Sequence, residues 1–386
     1  MSKFKEKSLD LHKANLGKLD IIPNVRLKTR EDLSLAYTPG VSYPCLEIQK
    51  NKEKAYEYTI KGKTVAIITD GSAVLGLGNI GPEASLPVME GKSALLYSFS
   101  GIQAIPLALA TQEPEEIIKT AKLISPNYSA IMLEDISAPN CVEIEKRLQK
   151  ELDIPIFHDD QHGTAIVVSA ALLNALKVVK KDIKSIKVVV SGLGAAGSAI
   201  IKLLTKLGVK EIYGYDILGV VNNEKYHKYN SVVKNLIDNN YLLLAKDEKN
   251  LTDLIKNKDV FIGVSAKNIL TSEMVKGMKE NSIIFAMANP DPEIKPELAK
   301  KAGAKIVGTG RSDYPNQINN VLVFPGLMKA VIENRIKTIT DEIKIITAKA
   351  IAKLVKDEEL SEDFILPDIF DKRVVKSIVN AIKKKA

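Results

Sequence analysis

The chain has 386 residues, 45% of them hydrophobic and 26% charged, with a formal net charge of +8. That length suits two domains better than a single core, and the composition excludes a chain dominated by disorder. The basic residues alternate with Glu and Asp along helical runs rather than gathering on one segment, which argues against a nucleic-acid partner and leaves a lysine-rich solvated surface suited to a small anionic substrate.

Two cysteines, Cys45 and Cys141, make neither a disulfide framework nor a metal motif. The opening MSKFKEKSLDLHK has no apolar core of the signal-peptide kind, and no run of 18 uncharged apolar residues follows it. No membrane partner is expected, and the expected compartment is the cytoplasm.

In chain order, charged helical segments lead to an extended VAIITD (65–70), an apolar PLALA (106–110) and a strand-like YSAIMLED that ends on Glu134 and Asp135. This is α/β texture with no dinucleotide fingerprint, so its business is expected to be substrate. The short apolar IPIF then runs into HDDQHG (158–163), which holds two of the chain's four histidines beside two aspartates. That run reads as strand end, loop and cap, with a helix expected from Thr164. The β-branched IKVVVS (186–191) follows, then GLGAAGSAIIKLLTKLG and a second strand, EIYGYD. DVFIGVS (259–265), SIIFAMANP (282–290) and AKIVGTG (304–310) repeat the pattern of apolar strand and polar end, which predicts a parallel sheet. From Gly326 onward the chain reads as lysine-rich helices.

Gly192, Gly194 and Gly197, with Ala195 and Ala196 between the last two, spell G-x-G-x-x-G between a strand and a helix. In that setting the glycines allow a tight turn, close approach of a pyrophosphate and close packing of helix on strand. Asp216 ends the next strand, where a carboxylate accepts from the adenosine ribose and disfavours a 2′-phosphate. Dinucleotide binding is expected, with NAD preferred over NADP.

Glu134, Asp135, Asp159 and Asp160 each follow an apolar strand. Three of them could supply hard oxygen ligands to Mg²⁺ or Mn²⁺; the plainer reading is polar strand ends and a helix cap at Asp160 or Thr164. His158 and His162 are four apart, but HDDQH is not a zinc-binding HExxH, and oxygen ligation fits better. Lys92 can act as a base only with a depressed pKa, and Tyr37 can return a proton only if it is suitably placed. Otherwise they are an ordinary lysine and a packed aromatic.

Taken together, LAYTPGV, TDGSAVLGLGNIGPEASLPVMEGK, LEDI, FHDDQHGTA, SGLGAAG, MANPDPE and TGRSDYPNQINNVLVFPG closely resemble the malic enzymes, in particular the short bacterial and archaeal form. The motifs run in family order from about residue 35 to 326, and at this length no acyltransferase-like domain is expected. The resemblance implies oxidation of L-malate by NAD or NADP and decarboxylation of the resulting oxaloacetate to pyruvate, with Mg²⁺ or Mn²⁺ as cofactor. It implies an α/β substrate domain over 1–158, a Rossmann-like NAD(P)-binding domain over 159–325 and a helical extension over 326–386. It assigns Lys92 as base, Tyr37 as acid, Asp159 as partner of the lysine, and Glu134, Asp135 and Asp160 as metal ligands. Asn289 and Asn320 match the substrate-contacting asparagines, with Asn289 also on the cofactor side.

An arginine that clamps a substrate carboxylate in larger members is missing; Ser72 and Ala73 stand in that neighbourhood. The backbone N–H groups of residues 71–73, Ser72 itself or the metal are the candidates for that grip. The family implies a homodimer or higher homo-oligomer. The rival reading is a malolactic enzyme, which resembles the same site but keeps its NADH and reduces pyruvate to lactate.

Overall fold

Two parallel sheets divide the chain in the computed structural model, which describes residues 2–74 and 76–385. Ahead of the first strand lie helices α1 (Ser2–Asn15), α2 (Arg30–Ala36), α3 (Ser42–Lys50) and α4 (Ala55–Tyr58). A reciprocal cap opens α2: the Thr29 hydroxyl accepts the Asp32 N–H, and the Asp32 carboxylate accepts the Thr29 N–H. Leu33, Leu35, Tyr37, Tyr43 and Leu46 on this segment are all exposed, so its own chain leaves a large apolar surface uncovered.

The first sheet is built from β1 (Thr64–Thr69), α5 (Gly81–Ser100), β2 (Gln103–Ala108), α6 (Pro114–Ile124), β3 (Ala130–Leu133), α7 (Asn140–Glu151) and β4 (Ile156–His158), in strand order β2-β1-β3-β4 and parallel throughout. Every residue of TVAIIT in β1 is buried. Alternation explains why: Val65 and Ile67 join the main core, whereas Ala66 and Ile68 pack with Ile117, Ile144 and Leu148 from α6 and α7.

The second sheet follows α8 (Asp159–Val179). Its elements are β5 (Lys187–Ser191), α9 (Ala195–Leu207), β6 (Glu211–Asp216), β7 (Gly219–Val220), α10 (Ser231–Asp238), α11 (Leu251–Ile255), β8 (Val260–Gly263), α12 (Ser272–Lys276), β9 (Ile283–Ala286), α13 (Pro296–Lys301) and β10 (Ile306–Thr309). The order is β10-β9-β8-β5-β6-β7, parallel except for the β6–β7 pair. This is the parallel α/β sheet that the strand pattern predicts. At the start of β8, the buried Asp259 carboxylate accepts from Lys181 and Lys279 at 3.0 Å each and from the Lys187 N–H at 2.9 Å.

Helices α14 (Phe324–Glu333), α15 (Asp341–Ala352) and α16 (Arg373–Lys383) fold back, with α14 on α5 and α15 on α8. α8 is long and apolar enough to cross a membrane by composition alone, yet 15 of its 21 residues are buried inside the protein. A helix apolar on all sides belongs in the middle of a core. Ile166, Val168 and Leu172 share that core with residues from both sheets, namely Ile67, Met132 and Phe157 from the first and Val188 and Val190 from the second. Each such side chain contributes roughly 1.5–3 kcal/mol on burial.

Candidate active site

β4 ends on His158 and α8 starts with the next residue. Of the loop expected over 158–163, residues 159–163 are therefore the first turn and a half of a helix, and α8 begins at Asp159 rather than Thr164. The His158 backbone stays extended while its Nδ1 accepts the Gln161 N–H at 3.4 Å, which makes it the cap. Asp159 and Asp160 place negative charge in the first turn, where the helix dipole favours it. Gly163 has no side chain because Asp159 folds back over it: a Cβ there would overlap Asp159 Oδ1 and lie 3.2 Å from Asn320 Cβ.

Lys92, halfway along α5, reaches the same place. Its buried Nζ lies 2.6 Å from Asp159 Oδ2 and 2.7 Å from Glu134 Oε1, and 4.7 Å from the centre of the Phe324 ring. Asn320 donates its side-chain amide to Asp159 Oδ2 at 2.7 Å. Asp160 Oδ2 accepts the Asp135 N–H at 2.8 Å. Asp135 itself sits in the left-handed region at φ 54°, a conformation costing about 1–3 kcal/mol in a residue with a side chain.

Burial alone would lower the Lys92 ammonium, but Asp159, Glu134 and Asp160 outweigh it and hold the group above its usual range. The depressed lysine that a base requires is thus not what these residues produce by themselves. Burial also pushes Glu134 well up, against the pull of Lys92, and the other carboxylates add to the push. Asp159 is raised for the same first reason. One ammonium is set among four carboxylates, and the imbalance calls for more positive charge.

The donor set suits a hard dication. Carboxylate oxygens of Glu134, Asp135 and Asp160 lie within 4.8 Å of one another, and Glu134 Oε2 is buried without a hydrogen-bond partner among the described residues. Three carboxylates with no sulfur or imidazole fit Mg²⁺ or Mn²⁺. His158 and His162 lie outside this set: His158 Nδ1 caps α8 and sits 3.8 Å from Asp160 Oδ2, and His162 Nε2 lies 2.8 Å from Glu145 Oε2.

Glu145 on α7 escaped the sequence reading. It is only 5% exposed, and its neighbours Glu143, Lys146 and Arg147 make the helix look like a solvated surface. A signal was present, because Cys141, Ile144, Glu145 and Leu148 fall at the i, i+3, i+4, i+7 spacing of an inward face, and all four are buried. Burial pushes its carboxyl up, but His162, His158 and Lys344 more than offset this and hold it below the usual range.

In the second sheet, Gly192 (φ 90°) follows β5 and Gly194 precedes α9. A Cβ on Gly197 would overlap the Gly192 carbonyl oxygen, one on Gly194 would meet nothing within 4 Å, and α9 has no side-chain cap. Open backbone N–H groups at a helix start, with room for a close approach, fit a pyrophosphate. Ala195 and Ala196 open α9, and Asp216 closes β6 with its Oδ1 accepting the Ile217 N–H at 2.8 Å. Asn289 follows β9 on a loop fixed by buried Glu293, which accepts the Ala288 N–H at 3.0 Å and the Ser265 N–H at 2.9 Å.

Tyr37 stands apart from this buried group. It follows α2 and is 67% exposed. The three backbone N–H groups considered for a substrate carboxylate are already committed: Gly71 to Thr69 Oγ1 at 3.0 Å, Ser72 to Asp70 Oδ1 at 2.9 Å and Ala73 to the Asp135 carbonyl at 2.9 Å. Ser72 Oγ accepts the Ser137 N–H at 2.8 Å and keeps its own proton to donate.

The model of the malic enzyme N-terminal domain matches residues 17–149, and that of the malic enzyme NAD-binding domain matches residues 161–386. The chain is 52% identical over 383 residues to the bifunctional malic/malolactic enzyme of Bacillus subtilis, covering 99% of this chain and 93% of that one. It is 42% identical over 403 aligned positions to the NADP-dependent malic enzyme of Escherichia coli, covering 99% of this chain and 52% of that one. The crystal structure of the NAD-dependent malic enzyme of Thermotoga maritima superposes with a TM-score of 0.93 at 46% identity, covering 97% of this chain and 98% of that one.

Proposed function

The chain belongs to the malic enzyme family, and we propose that it converts L-malate to pyruvate and CO₂ while reducing NAD or NADP, with Mg²⁺ or Mn²⁺ at Glu134, Asp135 and Asp160. The observation that carries this reading is the buried Lys92–Asp159–Glu134 contact at the carboxyl ends of β3 and β4, adjoining three carboxylates that suit a dication.

When bound, the nicotinamide accepts a hydride and the dication stabilises negative charge on oxygen and counters the carboxylate field around Lys92. Lys92 then takes the proton from the malate C2 hydroxyl as C2 is oxidised to the ketone of oxaloacetate. Asp159 holds the Lys92 amine in place, and Asn320 holds Asp159. After the C4 carboxylate leaves as CO₂, Tyr37 delivers a proton to C3 and pyruvate results. Ser72 has a free proton with which to grip a substrate carboxylate, and Asn289 offers a neutral amide to substrate or nicotinamide ribose. The division of labour that goes with this is substrate chemistry in 1–158, nucleotide binding in 159–325 through Gly192, Gly194, Ala195, Ala196, Gly197 and Asp216, and a helical buttress in 326–386.

A second copy of the chain is the proposed cover for the apolar residues 33–46. The exposure of Tyr37 supports it, because a general acid needs hydrogen-bond reach of its substrate and Tyr37 stands on the surface of its own chain, away from the buried Lys92 group.

A malolactic outcome is the second reading, favoured by the bifunctional relative. Incubation with L-malate, Mn²⁺ and NAD, with absorbance of the reduced nicotinamide followed and the acid identified, separates the two. Equal NADH and pyruvate are expected; lactate without net NADH moves the assignment, and no turnover with either NAD or NADP ends it.

A further inference from the structure

Asp159 and Asp160 point into the site, yet neither is held from that side alone. Behind them, the two carboxylate oxygens of Glu145 grip both ends of the five-residue stretch that contains them. Oε1 accepts the His158 N–H at 2.9 Å, while Oε2 accepts from the Gln161 side chain at 3.3 Å and lies 2.8 Å from His162 Nε2. The first bond fixes the last residue of β4, and the other two fix the first turn of α8. Glu145 itself sits on α7, which packs on β4 and presents it from the buried side. The His162 ring is wedged in place by Phe157, 5.9 Å between centroids.

We propose that Glu145 is a positioning residue for the acidic pair: it sets the turn so that Asp160 joins Glu134 and Asp135 while Asp159 meets Lys92. The inference rests on the metal reading above. Among the described residues the His158 Nδ1 cap on the Gln161 N–H also joins the two ends, at 3.4 Å, but from within the turn; Lys92 and Asn320 hold only Asp159 of the pair and the Asp135 N–H only Asp160, so Glu145 is the group outside the turn that grips both of its ends. A carboxylate suits the task because all three partners can donate. An amide of the same shape has one acceptor oxygen, and its NH₂ would oppose either the His158 N–H or the two side-chain donors.

The test is Mn²⁺ binding to the full chain without malate or nucleotide, read from the free-ion electron paramagnetic resonance signal. The parent, Asp160→Asn and Glu145→Gln are compared, with NADH affinity and thermal midpoint measured alongside. The expected result is that Glu145→Gln loses about 10- to 100-fold in Mn²⁺ affinity while NADH affinity stays within about two-fold of the parent. Parent-like Mn²⁺ affinity in Glu145→Gln overturns the inference and leaves the metal reading standing. A parent that binds no Mn²⁺, or binds it as well after Asp160→Asn, overturns the metal reading itself. Loss of Mn²⁺ and NADH binding together, with a collapsed midpoint, assigns Glu145 to the core and overturns the inference. Should Glu145→Gln not fold, His162→Leu decides: it deletes one grip and keeps an apolar contact for Phe157, so weaker Mn²⁺ binding supports the proposal and unchanged binding overturns it.

Discussion

Asn320 donates to Oδ2 of Asp159 at 2.7 Å, the same oxygen that Lys92 reaches at 2.6 Å. The other Asp159 oxygen is buried without a partner among the described residues, so the two donors share one atom. Asn320→Ala removes a bond to a buried charge, worth about 1.5–3 kcal/mol. Steady-state kinetics should show kcat/KM for malate falling about 10- to 100-fold with NADH affinity unchanged; loss of NADH binding in parallel would assign Asn320 to the nucleotide instead.

Gly163→Ala should damage the site from inside the helix. Alanine is the better helix former, by about 1 kcal/mol, so a role in α8 alone predicts a more stable and fully active protein. The added methyl instead collides with Asp159, and overpacking of this kind costs about 1–3 kcal/mol. Turnover is expected to fall at least about ten-fold while the thermal midpoint drops; a stabilised, active variant rules the collision out.

Tyr37 and Lys92 can be tested together. Lys92→Ala and Tyr37→Phe should each lower kcat by about 100-fold or more and leave nucleotide affinity intact. If the apolar segment around Tyr37 docks on a second copy, mixing the two inactive variants creates some sites with both residues intact. Activity regained on mixing and reassembly is the expected outcome, and mixtures that remain inactive place Tyr37 in its own chain's site.

Asp216 closes β6, and if it accepts from the adenosine ribose as proposed, its carboxylate repels a 2′-phosphate. Asp216→Ser should raise the ratio of kcat/KM for NADP over NAD by about ten-fold or more, since it removes a like charge worth about 1.4 kcal/mol or above. An unmoved ratio places the selectivity elsewhere.

Asp259 supplies a pH-dependent share of stability. Burial pushes its carboxyl up, and the Lys187 N–H, Lys181 and Lys279 more than reverse that, leaving it lowered. A carboxyl lower in the fold than its unfolded value of about 3.9 stabilises above that pH and loses its contribution as the pH falls through the folded pKa. Asp259→Asn should cost about 1.5–3 kcal/mol near neutral pH, and urea midpoints of parent and variant should converge as the pH drops below about 4. A constant gap along the acid limb excludes the charge as the cause.

Much of the architecture was legible because burial on both faces leaves its mark in composition: VAIITD and YSAIMLED read as extended or strand-like and IKVVVS as a strand of a parallel sheet, and each holds a buried parallel strand. The glycine fingerprint was legible for steric reasons that act locally, between Gly192 and Gly197. The start of α8 was not, because two aspartates and a glycine are turn formers by propensity, and the groups that hold them here, the His158 cap and the distant Glu145, Asn320 and Lys92, are contacts that local propensity does not record. Glu145 was hidden by its charged neighbours. The exposure of Tyr37 depends on packing between segments, which periodicity does not record.

Because β4 passes into α8 without a single intervening residue, this crossing offers no hinge peptide at which the two halves can be parted. The same six residues close one sheet, open the central helix of the next core and carry the acidic pair. A recombinant chimera joined anywhere in 158–163 would have to rebuild the chemistry at the splice. A change of coenzyme is therefore better sought by point substitution at Asp216 than by a splice at this junction.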